Sequence, residues 1–456
     1  MNRLPNIDKY LEKYAVSPMR PLLAASVADV DQAVVIPALA ESSSLFRTLS
    51  CIAANPRGEL CRTLVVCVVN NHRPPVAAEE EIRDNQITLT ILKELINGRK
   101  PSVAGTAVLK GDIERIAGSG LRVGCIDASS ADAEIPDRDG GVGTARKIGM
   151  DAALAVLSGR GPGGGVICCL DADTLVMENY LAAVYAHYSI TDDPAAVAGY
   201  AHRKPADPRL LAAICCYEIF LRAYVMGLSF AGSPYAFHAI GSTMSCTAEA
   251  YAAVRGMNRR TAAEDFHFLD KLAKLRKVGH IGTTTVFPSP RLSHRVPFGT
   301  GQRMLRFMAG ETDEYRLYDP RIFGILREWL AGMEADPERD AEAILTAARK
   351  IHPGLRAYLD RSRFAADWAV IRQNCPDAGH LRRQFHVWFD GLKTLRLVHN
   401  LSCSAFPPVP MFDGLKGLLD RRGKAILSIT GISDGIPEPQ IQFRILEELR
   451  SHFPES

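Results

Sequence analysis

Three short, almost uninterrupted apolar runs constrain this chain more than any other feature: residues 33–37 (AVVIP), 63–69 (TLVVCVV) and 166–170 (VICCL). Each is too short for a helix and lacks the alternation of a half-exposed strand, so each reads as a strand buried on both faces. Residues 121–127 make a further one, third in chain order, so that 166–170 is the fourth. Between them lie helical patterns. Residues 41–54 carry Leu45, Leu49 and Ile52 on one side and stop at Asn55-Pro56; residues 77–97 form a second helix; a third opens at Gly143. Residues 98–120 show no clear period and read as a surface excursion, and 1–30 as a short amphipathic helix followed by a Pro- and Ala-rich loop. Strands alternating with helices predict an α/β fold, a mostly parallel sheet sandwiched by helices.

In such sheets ligands gather outside the carboxyl ends of the strands. This chain places polar residues there: Glu41 just after Pro37, Asn70-Asn71 after the second strand, and Asp171 and Asp173 after the fourth. Residues two apart on a strand share a face, so the two aspartates are expected to converge on one ligand. Carboxylate oxygens suit Mg²⁺ or Mn²⁺, and either ion suits a diphosphate. Taken alone, Asp-x-Asp is equally well explained as a strand-ending turn.

With 456 residues, two or three domains are expected. A net charge of +3 without a basic stripe argues against nucleic acid as a partner. None of the eleven cysteines forms a Cys-x-x-Cys pair, and Cys168, Cys169, Cys215 and Cys216 sit in apolar runs, so they read as buried thiols. That usage, with no apolar signal core near the amino terminus, leads us to expect a cytoplasmic protein. The best membrane candidate, residues 210–232, contains Glu218 and Arg222. Each would cost roughly 2.5–3.5 kcal/mol at a helix centre in lipid. Four residues apart, they pair on one helix face, so a buried helix is expected and a transmembrane span is not.

The glycines carry no nucleotide-loop signature. Gly141 and Gly143 have Gly-x-Gly spacing, but Arg146 stands where a dinucleotide fingerprint needs its third glycine, and residues 161–165 lack the Gly-Lys-Ser/Thr ending of a P-loop. What Gly143 does open is a helix with Arg146 and Lys147 in its first turns, a place that favours an anion; a solvated helix start is the plainer account. Further on, Gly241-Ser242-Thr243 leads into a helix from 247 to 255, followed by Gly256. Then Thr261 and Glu264 stand at capping-box spacing, which offers Glu264 a purely structural role. Asp265 has no such role. In the first turns of a helix its carboxylate is expected to be kept ionised by the dipole and to act as a general base toward a hydroxyl.

In this order the motifs resemble glycosyltransferase family 2, sugar-nucleotide transferases of the GT-A fold with an Asp-x-Asp motif. The elements are strand-Pro with an acidic residue, a second strand with a polar end, Ala-Arg-Lys on a helix, Asp-Ala-Asp, and Glu-Asp. The resemblance covers roughly residues 31–310, after an amino-terminal segment (1–30) and before a helical carboxyl-terminal extension (311–456). It implies a metal-dependent transfer from a nucleotide sugar, often UDP-linked, to an acceptor hydroxyl. On that resemblance Pro37, Glu41, Asn70, Arg146 and Asp171 would hold the nucleotide sugar, and Asp173 would hold both it and Mg²⁺ or Mn²⁺. Asp265, with Glu264, would be catalytic, inverting the anomeric carbon. Gly241 and Ser242 would lie on the acceptor side with Arg295, and His294 would complete the metal shell. Asn70 and Asn71 depart from the family's frequent Asp, which leaves the base open. Gln302 to Phe307 has one residue too many, and Phe for Trp, to match the Gln-x-x-Arg-Trp of processive members, so a polymer synthase is not expected. A retaining GT-A enzyme with a small phosphorylated or carboxylated acceptor, and a non-catalytic nucleotide-sugar-binding protein, stay open as alternatives.

The carboxyl-terminal third reads as helical, with amphipathic stretches at 341–350, 381–395 and 439–450. Residues 350–396 hold nine Lys/Arg against four Asp/Glu. Packing against the rest of the chain or a second subunit is the simpler account of that excess; contact with phosphate groups at a membrane surface is the other. Trp368 and Trp388 read as core.

Overall fold

The structure, a computed structural model, describes residues 5–101, 107–136, 141–159, 165–295, 299–310, 312–430 and 435–453. Most of the 161–165 glycine run therefore lies outside the described residues. The chain divides into two units.

The first unit comprises residues 1–203, 239–290 and 295–299. Among the described residues it is built on nine strands: β1 (Leu22–Ala24), β2 (Gln32–Ala38), β3 (Thr63–Asn70), β4 (Arg122–Ala128), β5 (Val166–Cys169), β6 (Leu175–Val176), β7 (Ala195–Tyr200), β8 (Met244–Thr247) and β9 (Val278–Phe287). Their order in the sheet is β1-β4-β3-β2-β5-β8-β7-β9-β6. β4, β3, β2 and β5 are mutually parallel. β8 runs against both β5 and β7, which restores the common direction for β7 and its parallel neighbour β9. Only β1, β8 and β6 run the other way, so the sheet is mostly parallel. Every residue of β3 is buried, as a two-sided apolar strand requires. Val34, Leu49, Val65, Leu92, Cys168 and Leu181 share one core on a face of this sheet.

Several expectations need correcting. The 98–120 stretch is not a plain excursion, because residues Ala107–Ser119 form a helix. β1 was hidden in the Pro- and Ala-rich loop, and β8 in the loop before the helix Ala248–Ala253; both are short and pair antiparallel, so they lack a long apolar run. The helix after β2 begins only at Leu45, since Glu41 to Ser44 form a turn in which the Glu41 carbonyl accepts from the Ser44 and Leu45 amides.

The second unit comprises residues 204–238, 291–294 and 300–456. Its boundary departs from the expected division at 310, because the helix Pro208–Phe230 has its core partners in the carboxyl-terminal third. Asp207 caps it through the amides of Arg209 (2.8 Å) and Leu210 (2.9 Å), with Pro208 in the first turn. Among the described residues it is the one helix long and apolar enough to cross a membrane, and 72% of its apolar window is buried inside the protein. Glu218 and Arg222 do pair, at 3.0 Å, and Arg450 of the helix Pro439–His452 joins them at 2.7 Å. Ile219, Leu326, Leu359, Trp368, Phe385 and Leu446 belong to the unit's own core. The 381–395 stretch is two helices, not one: Ala378–Trp388 ends at Phe389, and Asp390 caps Gly391–Ser404 through the Lys393 amide. Trp368 is fully buried and stacks on Phe364; Trp388 is half-buried and donates to Asp367.

Candidate active site

The site lies in the first unit, where the carboxyl end of β5 meets the starts of two helices. β5 ends at Cys169, so Asp171 and Asp173 do not share a strand face as expected. They sit in a turn closed by the Thr174 amide on the Asp171 carbonyl (3.1 Å). The turn is fixed from outside: Thr48 donates to the Ala172 carbonyl, and Arg203 to that of Asp173. In this turn the two carboxylates acquire different environments. Asp171 takes Arg146 at 2.5 Å on one oxygen and the Ser242 hydroxyl at 2.5 Å on the other. Ser242 is itself held by Thr174 at 3.0 Å. Asp173 is half-buried.

Arg146 comes from the helix Val142–Leu157 and is 3% exposed. One nitrogen of its fork meets Asp171 and another meets Glu264, so the guanidinium joins the strand end to the start of the helix Glu264–Ala273. Burial alone would lower its pKa; Asp171 and Glu264 more than reverse this and hold it charged. Glycines make the approach feasible. A Cβ on Gly143 would lie 2.5 Å from the Arg260 carbonyl and 2.6 Å from that of Asn258, and one on Gly241 would collide with the Arg146 guanidinium. The Gly-x-Gly spacing thus serves close packing of the helix start against residues 258–261, and neither Arg146 nor Lys147 is solvated.

The capping box is absent. The helix carrying Glu264 starts from Ala263 in left-handed conformation (φ 56°), with no side-chain cap, and Glu264 turns to Arg146 instead. Asp265 follows, and its pKa is pushed up to about 7. Burial is the main cause and the neighbouring Glu264 adds to it, with Arg146 opposing. Against the expected effect of the helix dipole, which favours the ionised form, desolvation and the like charge of Glu264 act to hold the proton on Asp265.

The remaining expected residues fall into place separately. Pro37 and Asn70 occupy the ends of β2 and β3, and the Asn70 carbonyl accepts from Asn85. Glu41, 4% exposed, meets Arg295 at 2.5 Å, so a residue expected at the nucleotide and one expected at the acceptor are partners. Gly241 and Ser242, expected on the acceptor side, instead accommodate Arg146 and brace Asp171. His294 is exposed and belongs to the second unit. Among the described residues no group of three or more His, Cys, Asp or Glu is placed to hold a metal ion. Both Asp171 oxygens are already engaged, so the donor set does not make a resident metal centre. It fits at most an ion brought in with a diphosphate and met by Asp173, as Mg²⁺ bound through one or two carboxylates and substrate phosphates would be.

One cluster went unread in the sequence. Lys147 does not face an anion: its ammonium reaches the Tyr10 hydroxyl at 2.5 Å and Asp151 at 3.2 Å. Asp151 also accepts from Tyr10 (2.6 Å), Tyr251 (2.7 Å) and the Val16 amide (2.7 Å). The cluster pins the amino-terminal helix Pro5–Lys13 to the helix that carries Arg146. Lys147 and Asp151 at helical i,i+4 spacing was the available signal.

No family model and no curated protein matches the chain. Among solved structures it is similar to S. aureus TarS 1-349 in complex with UDP-GlcNAc, at 11% identity over 78% of this chain and 91% of that one, with a TM-score of 0.36. It is also similar to the mannosyltransferase PcManGT from Pyrobaculum calidifontis in complex with GDP-Man and Mn²⁺, at 15% identity over 87% and 92%, with a TM-score of 0.31. At such scores the likeness carries no argument, and the functional reading stands on the residues themselves.

Proposed function

We propose that this chain is a glycosyltransferase that moves a sugar from a nucleotide-sugar donor to an acceptor hydroxyl. The observation that carries this reading is the bridge Asp171–Arg146–Glu264, which sets Asp265 beside the carboxyl end of the parallel sheet. Pro37, Glu41 and Asn70 at the ends of β2 and β3 offer the nucleotide its floor. Carboxylates outnumber bases around Arg146, so a bare diphosphate is disfavoured there. Asp173 would meet a divalent ion carried in with the donor, and such an ion would supply Lewis-acid neutralisation of the diphosphate charge. Asp265, titrating near neutrality, is matched to accept a hydroxyl proton. The acceptor oxygen attacks the anomeric carbon, the bond from that carbon to the diphosphate oxygen breaks, and the proton passes to Asp265. Attack from the face opposite the leaving group inverts the configuration. Glu264 keeps Arg146 in place and raises the basicity of Asp265.

The test is transfer from UDP-, GDP- and dTDP-sugars by wild type, Asp265→Asn and Asp173→Asn, with the product anomer assigned by NMR. Both variants should lose at least a hundredfold in turnover with their circular dichroism unchanged, and the wild-type product should be inverted. Near-normal turnover by Asp265→Asn, or a retained product, removes Asp265 from the role of base.

A further inference from the structure

The second unit holds a cavity of about 550 Å³ that the proposed transfer reaction does not use. One wall is a single face of the helix Gly391–Ser404, where Leu395, Arg396, His399 and Cys403 recur at helical spacing. Opposite stand Tyr358 and Arg361, from the last turn of the helix Pro353–Arg361, and Tyr318, just ahead of the helix Pro320–Ala335. Two guanidiniums and an imidazole thus border the cavity, and no carboxylate is among its lining residues. Arg361 is steadied by Asn400 at 2.9 Å, while Arg396 forms no hydrogen bond or ion pair among the described residues.

Several other arginines in this unit are met by carboxylates: Arg303 and Arg306 by Glu314, Arg356 by Asp360, Arg450 by Glu218. Arg361 and Arg396, two of the nine basic residues between 350 and 396, border the cavity without an ion pair among the described residues. The aromatic walls add a second character. Tyr358 is buried, with its hydroxyl engaged on the Lys393 carbonyl (2.8 Å), so it presents its ring. Tyr318 and Leu395 are half-buried. A phosphate group alone would leave most of this volume empty, since cavities of about 300–1,000 Å³ hold drug-sized molecules.

We propose that this cavity is a binding site for a small organic phosphate, its phosphoryl group between Arg361 and Arg396 and its organic body against Tyr318 and Leu395. Guanidinium forks match phosphate oxygens in charge and geometry. The apolar wall favours an ester over inorganic phosphate. The inference does not depend on the glycosyl-transfer reading.

Cys403 provides a local reporter, because it borders the cavity as an exposed free thiol; Cys61, also exposed, belongs to the first unit and serves as the control. The full chain is treated with iodoacetamide, and each cysteine's modification rate is read by peptide mass spectrometry. Four conditions are compared: buffer, inorganic phosphate, phenyl phosphate, and the neutral benzyl alcohol. Phenyl phosphate should slow Cys403 at least fivefold and leave Cys61 unchanged. Inorganic phosphate should protect more weakly and benzyl alcohol not at all. In the Arg361→Gln/Arg396→Gln double variant the protection should require at least tenfold more phenyl phosphate, with an unchanged melting curve as the control for folding. Vesicles of phosphatidylglycerol separate the sources. Protection of Cys403 by vesicles, relieved by the arginine double variant, assigns the phosphate to a lipid headgroup; protection by the soluble ester alone assigns it to a free metabolite. No protection of Cys403 by millimolar phenyl phosphate or vesicles, or protection equal in the double variant, overturns the proposal.

Discussion

In the proposed transfer Asp265 is the base, and its raised pKa has consequences for folding as well as turnover. As a base it must be deprotonated, so kcat/KM should climb with pH through about 7 and level off above it. For stability the sign is opposite. The folded carboxyl holds its proton between about 4 and about 7 while the unfolded one does not, so stability falls as pH rises across that window. Asp265→Asn should therefore be inactive yet melt several degrees above wild type at pH 8, with the difference vanishing near pH 4. Melting curves in both buffers check this, and a variant less stable than wild type at pH 8 would contradict the burial argument. The sequence showed Asp265 as a helix-start carboxylate but not its ionisation, because Arg146 and Asp171, whose charges act on it, lie far away in the chain. The partnership of Arg146 with Glu264 spans 118 residues and was equally out of reach. Glu264, adjacent in the chain, was visible, but its capping-box spacing to Thr261 offered it a structural role, which the left-handed Ala263 cancels.

At the scale of elements, glycine positions decide how closely helices and strands approach. Gly149 of the helix Val142–Leu157 lies against Val68 of β3, where a Cβ would come within 2.8 Å, and Gly143 abuts the backbone of residues 258–260. Gly143→Ala should push that segment away, separate Glu264 from Arg146 and destabilise the fold by about 1–3 kcal/mol, with transfer reduced at least tenfold. Gly58→Ala, which meets open space in the helix Arg57–Leu60, should leave both properties nearly unchanged. Denaturant midpoints and turnover of the two variants test the contrast. The apolar strands β2, β3 and β4, and the short β5, were legible because burial on both faces leaves a continuous run. β1 and β6, of three and two residues, carry too few side chains to show one, and in β8 Ser245 and Thr247 interrupt it. The helix Pro208–Phe230 was legible as buried through its Glu218–Arg222 pair, but its third partner, Arg450, lies 232 residues from Glu218.

At the scale of the molecule, each unit has a separate hydrophobic core, centred on Val34 and Val65 in one and on Trp329 and Leu359 in the other. Unfolding is then expected to depart from a two-state transition. A sugar nucleotide that binds the first unit should raise the transition of that unit by mass action. Calorimetric scans with UDP-, GDP- and dTDP-sugars, each with and without Mn²⁺, test this. A shift present only with the ion supports a cation entering with the donor, and no shift with any of them counts against the nucleotide-sugar reading.

The position of β8 in the sheet also bears on how a ribosome can deliver this protein. Among the described residues β7 pairs only with β8 and β9, and β6 only with β9, although both precede them in the chain by about 45 to about 110 residues. A nascent polypeptide stalled near residue 203 would leave β6 and β7 without partners and one edge of β5 open, the kind of surface that recruits chaperones or pairs with another copy. Synthesis must pass the apolar helix Pro208–Phe230 and reach Phe287 before those edges close, so truncations short of that point should yield aggregates and not smaller working proteins.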